Sequence, residues 1–289
     1  MSWRTVVISN RCKLDLKSGY MVIRGEEVKR VILDEISTII IESTAVSLTA
    51  YLIAELTERK IKVIFCDNKR NPTAELASVY GCHDCSQKLK MQLSWEDDIK
   101  SAVWTEIVSE KIRQQRDFLS EIGRTSEAQL LQTYIENMEF NDATNREGHA
   151  AKVYFNALFG KDFSRSEDCV TNAALNYGYS LILSLINREV VGCGYLTQLG
   201  LFHDNVFNYF NFSCDLMEPY RVFVDRFVYD KQFSKFETEE KHEVIGIFLM
   251  PVSINGFSQY LDKAIKVYCH SVFDALNDRD VSLIKHYSL

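Results

Sequence analysis

The sequence predicts an α+β chain: a small β-rich N-terminal domain followed by a larger α-helical domain. Three observations carry this. The first 75 residues hold short runs rich in β-branched residues. From about Trp95 onward, apolar residues recur at helical spacing over long stretches. Only 3 prolines and 12 glycines occur in 289 residues, which leaves little material for long linkers. The expected boundaries are residues 1–75 for the β-rich domain, 76–95 for a connecting segment and 96–289 for the helical domain.

The runs RTVVISN, LDLKSGYMVIRG and VKRVILDEISTIIIES read as strands, with turns at Ser18–Gly19 and Gly25–Glu27. TAVSLTAYLIAELTERK reads as one helix after a Ser/Thr-rich cap, and IKVIFCD returns to strand. Further on, KSAVWTEIVSEKIRQQRDFLSEI, SEAQLLQTYIENME and NREGHAAKVYFNALFG are amphipathic helices. AALNYGYSLILSLINREVVG is apolar on nearly every side, as a buried central helix would be. There is no internal repeat and no low-complexity tract.

Apolar residues make up 46% and charged residues 25%, the balance of a water-soluble globular chain. No apolar run is long enough for a membrane span or a signal peptide, so a cytoplasmic location is expected. Eight cysteines, mostly inside apolar runs, fit buried free thiols in a reducing compartment. Cys82 and Cys85 have C-x-x-C spacing, but no second pair completes a zinc set. The net charge of −7 argues against a protein that merely coats nucleic acid, though a local basic surface or a metal is compatible with it.

Three residues stand out as candidate ligands. Asn145 is a good N-cap, and Ala150, Ala151, Tyr154, Phe155 and Leu158 place Glu147 on the core-facing stripe of the helix that follows. Such a carboxylate is either a capping group satisfied by an arginine or a ligand. Glu218 precedes Pro219, so it reads as the N-cap of a helix PYRVFVDRFVYD. Glutamate caps poorly, and its longer reach toward a shared site would explain the choice. His203, in LTQLGLFHDNVFNYFNF, is either a hydrogen-bonded core histidine or a third ligand. Two carboxylates and one imidazole suit Mg²⁺ or Mn²⁺, but spacing alone does not bring the three together. Arg146, Lys152, Arg165, Arg188 and Arg226 read first as solvated or salt-bridged charges and second as phosphate contacts. The aromatics of NVFNYFNF read first as core and second as base-stacking groups.

NREGHAAKVYFNALFG, NAALNYGYSLILSLINREV, the QLGLFH run and DLMEPYRVFVDRFV resemble the CRISPR-associated integrase of spacer acquisition, first of the CRISPR-associated series. WRTVVISN, VIFCDNKRNPTA and YGCHD fit the same family, closest to the branch that accompanies the single-protein interference nuclease (type II). The resemblance implies a catalytic helical domain with Glu147, His203 and Glu218 as catalytic metal ligands. Many members carry aspartate at the third position. It further implies Asp215 as a nearby second carboxylate. Arg146, Asn172, Tyr177, Arg221 and Asp225 would orient the site or touch DNA. The implied reaction is metal-dependent attack of a 3′-hydroxyl on a phosphodiester at the repeat edge. The implied partners are double-stranded DNA fragments, CRISPR repeat DNA, a second copy of the chain, a bridging dimer of the small second adaptation protein, and the interference nuclease. A general metal-dependent DNA nuclease and a non-catalytic DNA-binding scaffold are the alternatives.

Overall fold

The computed structural model describes residues 4–78 and 82–288. Trp3 of WRTVVISN, Tyr80 and Gly81 of YGCHD, and part of the expected connecting segment lie outside the described residues. The chain forms two compact units, Met1–His83 with Val191–Cys193 and Asp84–Val190 with Gly194–Leu289.

In the first unit, the described residues form strands β1 (Arg4–Ile8), β2 (Cys12–Lys17), β3 (Tyr20–Arg24), β4 (Val28–Ile32), β5 (Ile36–Ile41) and β6 (Val46–Leu48). Helix α1 (Ala50–Glu58) and strands β7 (Lys62–Cys66) and β8 (Pro72–Glu75) follow. One sheet has the order β1-β5-β7-β8, with β1 and β7 parallel to β5 and β8 antiparallel to β7. The other has the order β4-β3-β2-β6. Ser18 and Gly19 both take positive φ, 52° and 80°, the backbone that a tight hairpin turn needs. All six residues of β5 are buried, as expected of an interior strand. Leu14, Met21, Leu33, Ile39, Leu52, Leu56 and Val63 form the centre of the core. The segment expected as one helix from Thr44 divides. Residues 46–48 pair in parallel with β2, and the helix starts only after Thr49, whose Oγ1 accepts from Leu52 N at 3.3 Å.

The second unit contains α2 (Cys85–Leu93), α3 (Asp97–Glu121), α4 (Thr125–Glu136), α5 (Arg146–Phe159), all but the last two residues of α6 (Val170–Gly192), α7 (Asn211–Lys231) and α8 (Thr238–Ile245). Strands β9 (Pro251–Ile254) and β10 (Phe257–Tyr260), helix α9 (Leu261–Asp278) and strand β11 (Tyr287–Ser288) complete it. Helix α3 is the hub and packs against α4, α5, α7 and α9. Helix α6 is buried along most of its length. Gly178 of α6 faces Val224 of α7, and a Cβ there would lie 2.4 Å from Val224 Cγ1, so this glycine sets how closely the two helices approach.

Two expectations are corrected here. The region 96–289 is not wholly helical: β9, β10 and β11 form a small antiparallel sheet. Asn255 and Gly256 turn the β9–β10 hairpin with φ of 53° and 78°, and such an Asn-Gly pair outranks the weak helical periodicity around it. Helix α7 begins at Asn211, so Pro219 lies inside it and Glu218 is not its N-cap. The missing amide costs one intrahelical bond, and the deep burial of residues 211–225 around it carries the helix through.

Candidate metal centre

Glu147 is set by a double cap. Asp142 Oδ1 accepts from Arg146 N at 2.6 Å and its Oδ2 accepts from Glu147 N at 3.1 Å. Asn145 Oδ1 accepts from Gly148 N at 3.3 Å, as its cap position predicts. The orphan amides of α5 are thereby satisfied without the Glu147 side chain, which is free to point elsewhere. It meets Lys111 Nζ of α3.

Lys111 joins the two candidate carboxylates. Its Nζ donates to Glu147 Oε1 and, at 2.5 Å, to Glu218 Oε2. Glu218 Oε1 accepts from Arg221 Nε, one turn along α7, at 2.9 Å. The side chains of Lys111 and Glu218 are 7% and 5% exposed, whereas that of Glu147 is 31% exposed and forms the open side. Burial alone would raise the Glu218 carboxyl, but the charges of Arg221 and Lys111 hold it down to about 2. Burial likewise works against the Lys111 ammonium, and Glu218 and Glu147 more than reverse this, leaving its pKa raised. The group is a buried cation held between two carboxylates from different helices.

His203 sits on the turn before α7. Asp215 gathers that turn: Leu201 N, Phe202 N and His203 N donate to its carboxylate at 2.6, 3.2 and 3.1 Å. His203 Nδ1 lies 2.5 Å from Asp215 Oδ1, which directs Nε2 away from Asp215. Trp104 stacks on Phe202 and meets the His203 ring edge-on. Gln92 of α2 pins the segment upstream, exchanging bonds with Leu196 N and Leu196 O at 2.8 and 2.9 Å. Gly200 is required here, because a Cβ would lie 2.2 Å from His203 O and 2.8 Å from Asp215 Oδ2. The bond to Asp215 raises the His203 pKa against the opposing effect of burial, and Glu218 adds to the rise through space.

Glu147 and Glu218 open onto a pocket of about 180 Å³. Lys111 and Gln115 line it from α3, and Glu147, Ala151 and Phe155 line it at one-turn spacing from α5. Glu218, Arg221 and Asp225 line it from α7, with Tyr179 of α6 and Arg165 completing the wall. Asp225 accepts from the Tyr179 hydroxyl. Burial pushes its carboxyl up to about 7, against the Tyr179 bond and the charges of Lys111, Arg221 and Arg165.

The remaining expected residues are distributed as follows. Asn172 accepts from Arg165 Nη1 and donates to Ser164 O and Glu167 O at 2.8 Å each, so it shapes the turn that carries Arg165. Tyr177 packs edge-on against Phe236 with Lys241 over its ring, and it does not line the pocket. Arg146 lies over the Tyr134 ring. Arg188 pairs with Glu189 and Arg226 pairs with Glu121, as structural charges do. Cys82 and Cys85 are both partly buried. The expected burial of NVFNYFNF holds for Phe212 but not for Val206, Phe207 and Tyr209, which are 86%, 87% and 71% exposed.

Two positions escaped the sequence reading. Lys111 falls in the stripe Trp104, Ile107, Lys111, Gln115, Phe118, and a lysine in an apolar helical stripe is a legible signal. The second is a cluster. Among the described residues, only Glu106, Glu110 and His286 bring three ligand atoms all within 4.8 Å of one another. Glu147, His203 and Glu218 do not reach that closeness; the two carboxylates meet through Lys111 and His203 stands beside them on Asp215.

The model of the family CRISPR associated protein Cas1 matches residues 5–249. The chain belongs to the Cas1 family. It is 35% identical over 226 residues to the CRISPR-associated endonuclease Cas1 of Neisseria meningitidis serogroup C (strain 8013), covering 78% of this chain and 74% of that one. Its fold matches a chain of a Cas6-RT-Cas1–Cas2 complex with a TM-score of 0.75 at 16% identity, over 97% of this chain and 36% of that chain. It also matches a casposase bound to integration product, with a TM-score of 0.75 at 16% identity over 98% and 93%. The chain joins a strand-rich N-terminal region to a mostly helical remainder. The donor chemistry fits the divalent cation that the Cas1 family implies. Hard carboxylate oxygens of Glu147 and Glu218 converge on one cation, the Lys111 ammonium. Among the described residues, no helix is long and apolar enough to cross a membrane.

Proposed function

We propose that this protein is a metal-dependent DNA integrase and endonuclease. It would insert new spacer DNA into a CRISPR array by 3′-hydroxyl attack on a phosphodiester at the repeat edge. The convergence of Glu147 and Glu218 on a single buried cation at the mouth of a pocket carries the reading. Family membership and the likeness to a casposase bound to integration product support it.

Glu147, Glu218 and the His203 Nε2 would hold Mg²⁺ or Mn²⁺. Bound there, the ion would supply Lewis-acid chemistry, polarising the phosphoryl oxygen and stabilising charge on the attacking and leaving oxygens. Asp215 keeps the Nδ1 proton of His203, fixing the tautomer that leaves Nε2 as a donor pair. Arg221 and Arg165, both on the pocket wall, neutralise the phosphodiester, and Tyr179 stands beneath them at 4.8 and 5.3 Å from ring centre to guanidinium. In the reaction, the incoming 3′-oxygen loses its proton and forms a bond to phosphorus. The target strand's own 3′-oxygen leaves with the bonding pair and takes up a proton, so the number of phosphodiesters is unchanged.

The proposed division of the chain is residues 1–75 and 96–289, joined by 76–95, with catalysis in 96–289. The proposed partners are DNA fragments and repeat DNA, a second copy of this chain, and the small second adaptation protein, an assembly suggested by the Cas1–Cas2 complex among the fold matches. The proposed location is the cytoplasm. The test is a strand-transfer assay with a labelled 3′-hydroxyl fragment and a repeat duplex in Mn²⁺. Glu147→Gln, which keeps the size and loses the charge, is expected to lower strand transfer by at least ~10²-fold. Retained transfer would remove Glu147 from the catalytic set.

A further inference from the structure

A buried ammonium between two carboxylates poses a question of occupancy. Lys111 Nζ holds the space between Glu147 Oε1 and Glu218 Oε2. Without a cation there, two carboxylates from α5 and α7 would face each other in a largely buried place and repel. With a divalent cation there, an ammonium in contact with the same two oxygens would be repelled in turn. The two cations therefore exclude each other, and the lysine needs somewhere to go.

The pocket contains such a place. Gln115 lies one turn beyond Lys111 on the same face of α3 and lines the same pocket. It is 1% exposed, and its Oε1 is buried without a hydrogen-bond partner. A buried carbonyl oxygen with no donor is uncommon and costly. The Asp225 carboxyl lines the pocket as well. A lysine has the length and rotamers to exchange one set of acceptors for the other without moving its helix.

We propose that Lys111 is the resident counter-ion of the metal-free site and exchanges with the divalent cation, swinging from Glu147 and Glu218 to Gln115 Oε1 and the Asp225 side of the pocket. The inference rests on the metal-centre reading above. Lys111 then has two roles. Without metal it keeps the two ligands in place and, together with Arg221 on Glu218, balances their charge. With metal it delivers its charge to the pocket wall beside Arg221 and Arg165, where a phosphodiester would lie. The exchange also sets metal affinity, because the ion must displace an ion pair rather than enter a vacant carboxylate pair.

Mn²⁺ binding to the full chain, read from the electron paramagnetic resonance of free Mn²⁺, tests this together with thermal melts in EDTA and in Mn²⁺. Lys111→Met, with similar length and no charge, is expected to bind Mn²⁺ at least tenfold more tightly, to melt lower in EDTA and to gain more from Mn²⁺ than the wild type. Gln115→Leu, which removes the receiving oxygen, is expected to weaken binding at least threefold. Unchanged or weaker binding by Lys111→Met overturns the proposal, and unchanged binding by Gln115→Leu overturns the destination. Glu147→Gln separates the two readings. Mn²⁺ binding that survives it overturns the metal centre itself, whereas binding lost in Glu147→Gln but unaltered in Lys111→Met overturns only the exchange. Should Lys111→Met fail to fold, the wild type still decides. Acetic anhydride labelling of Lys111, read by mass spectrometry, should rise at least threefold on saturation with Mn²⁺, and unchanged or reduced labelling overturns the exchange.

Discussion

Helix α3 carries two groups of charged side chains, one around Glu106 and Glu110 and one around Lys111, and they are built on opposite principles. Around Glu106 and Glu110 the donors are compact: with His286 they bring three ligand atoms within 4.8 Å. Yet all three are engaged within the chain. Arg113 Nη1 reaches Glu106 at 2.9 Å and Glu110 at 3.1 Å, Gln114 Nε2 reaches Glu110 at 2.7 Å, and His286 Nε2 lies 3.1 Å from Glu106. Around Lys111 the donors are looser, but they open onto a pocket of about 180 Å³ with Arg165 and Arg221 on its wall. Compactness of donors therefore marks the structural cluster here. In the proposed reading, a displaceable cation beside a space lined by arginines marks the functional one.

The largest effect should come from Gly200. A methyl group there collides with His203 O and Asp215 Oδ2, so Gly200→Ala must move the histidine turn. We expect strand transfer to fall by about 10²-fold, with Mn²⁺ binding weakened and the melting temperature lowered as the bonds to Asp215 are disturbed. Wild-type transfer in this variant would show that the His203 turn lies outside the site.

Arg113→Met addresses the other cluster. Removing the shared cation leaves Glu106 and Glu110 facing each other, and a loss of about 1–3 kcal/mol of stability is expected. Strand transfer by the folded variant should stay within about twofold of the wild type. A collapse of transfer without a loss of stability would erase the contrast between the two clusters.

The smallest effect is a pH dependence. Burial alone would raise the Glu106 carboxyl, but its bonds with His286 and Arg113 hold it down to about 2. A carboxyl depressed in the folded state binds fewer protons there than in the unfolded chain. Its contribution is full above the ordinary value of 4.5 and is lost as pH falls from there through about 2. The side chain is about a quarter exposed, so after screening the contribution is of the order of 1 kcal/mol. The melting difference between wild type and Glu106→Gln should shrink across that window, and a difference that is constant with pH would refute this.

The sequence showed different parts of this design with unequal clarity. Periodicity separated the strand-rich start from the helical remainder, because each period is imposed by one buried face. It missed β9 and β10, although Asn255–Gly256 is a hairpin signal, because the flanking strands are only four residues each. Pro219 was read as a helix start from local preference, and tertiary burial of α7 overrode it. Glu147, His203 and Glu218 were named through resemblance; their spacing in the chain contains nothing that makes them meet. The need for a partner to Glu147 was legible from its stripe, but the partner is Lys111 rather than an arginine. Phe207 and Tyr209 were expected inside and stand exposed, because a loop tied down by backbone bonds to Asn205, Asn211 and Thr197 has no need of their burial.

The hydrogen bond between Lys111 and Glu218 spans 107 positions of sequence. A chain emerging from the ribosome makes α3 and α5 well before α7 exists, and domains form N-terminal part first. During that interval Lys111 has Glu147 alone as its acidic partner, and neither His203 nor its anchor Asp215 has been made. A partly synthesised molecule therefore carries half of the ion pair and none of the DNA-cutting competence. In the proposed reading, a cell making this protein is shielded from its chemistry until α7 has been translated and has closed against Gly178.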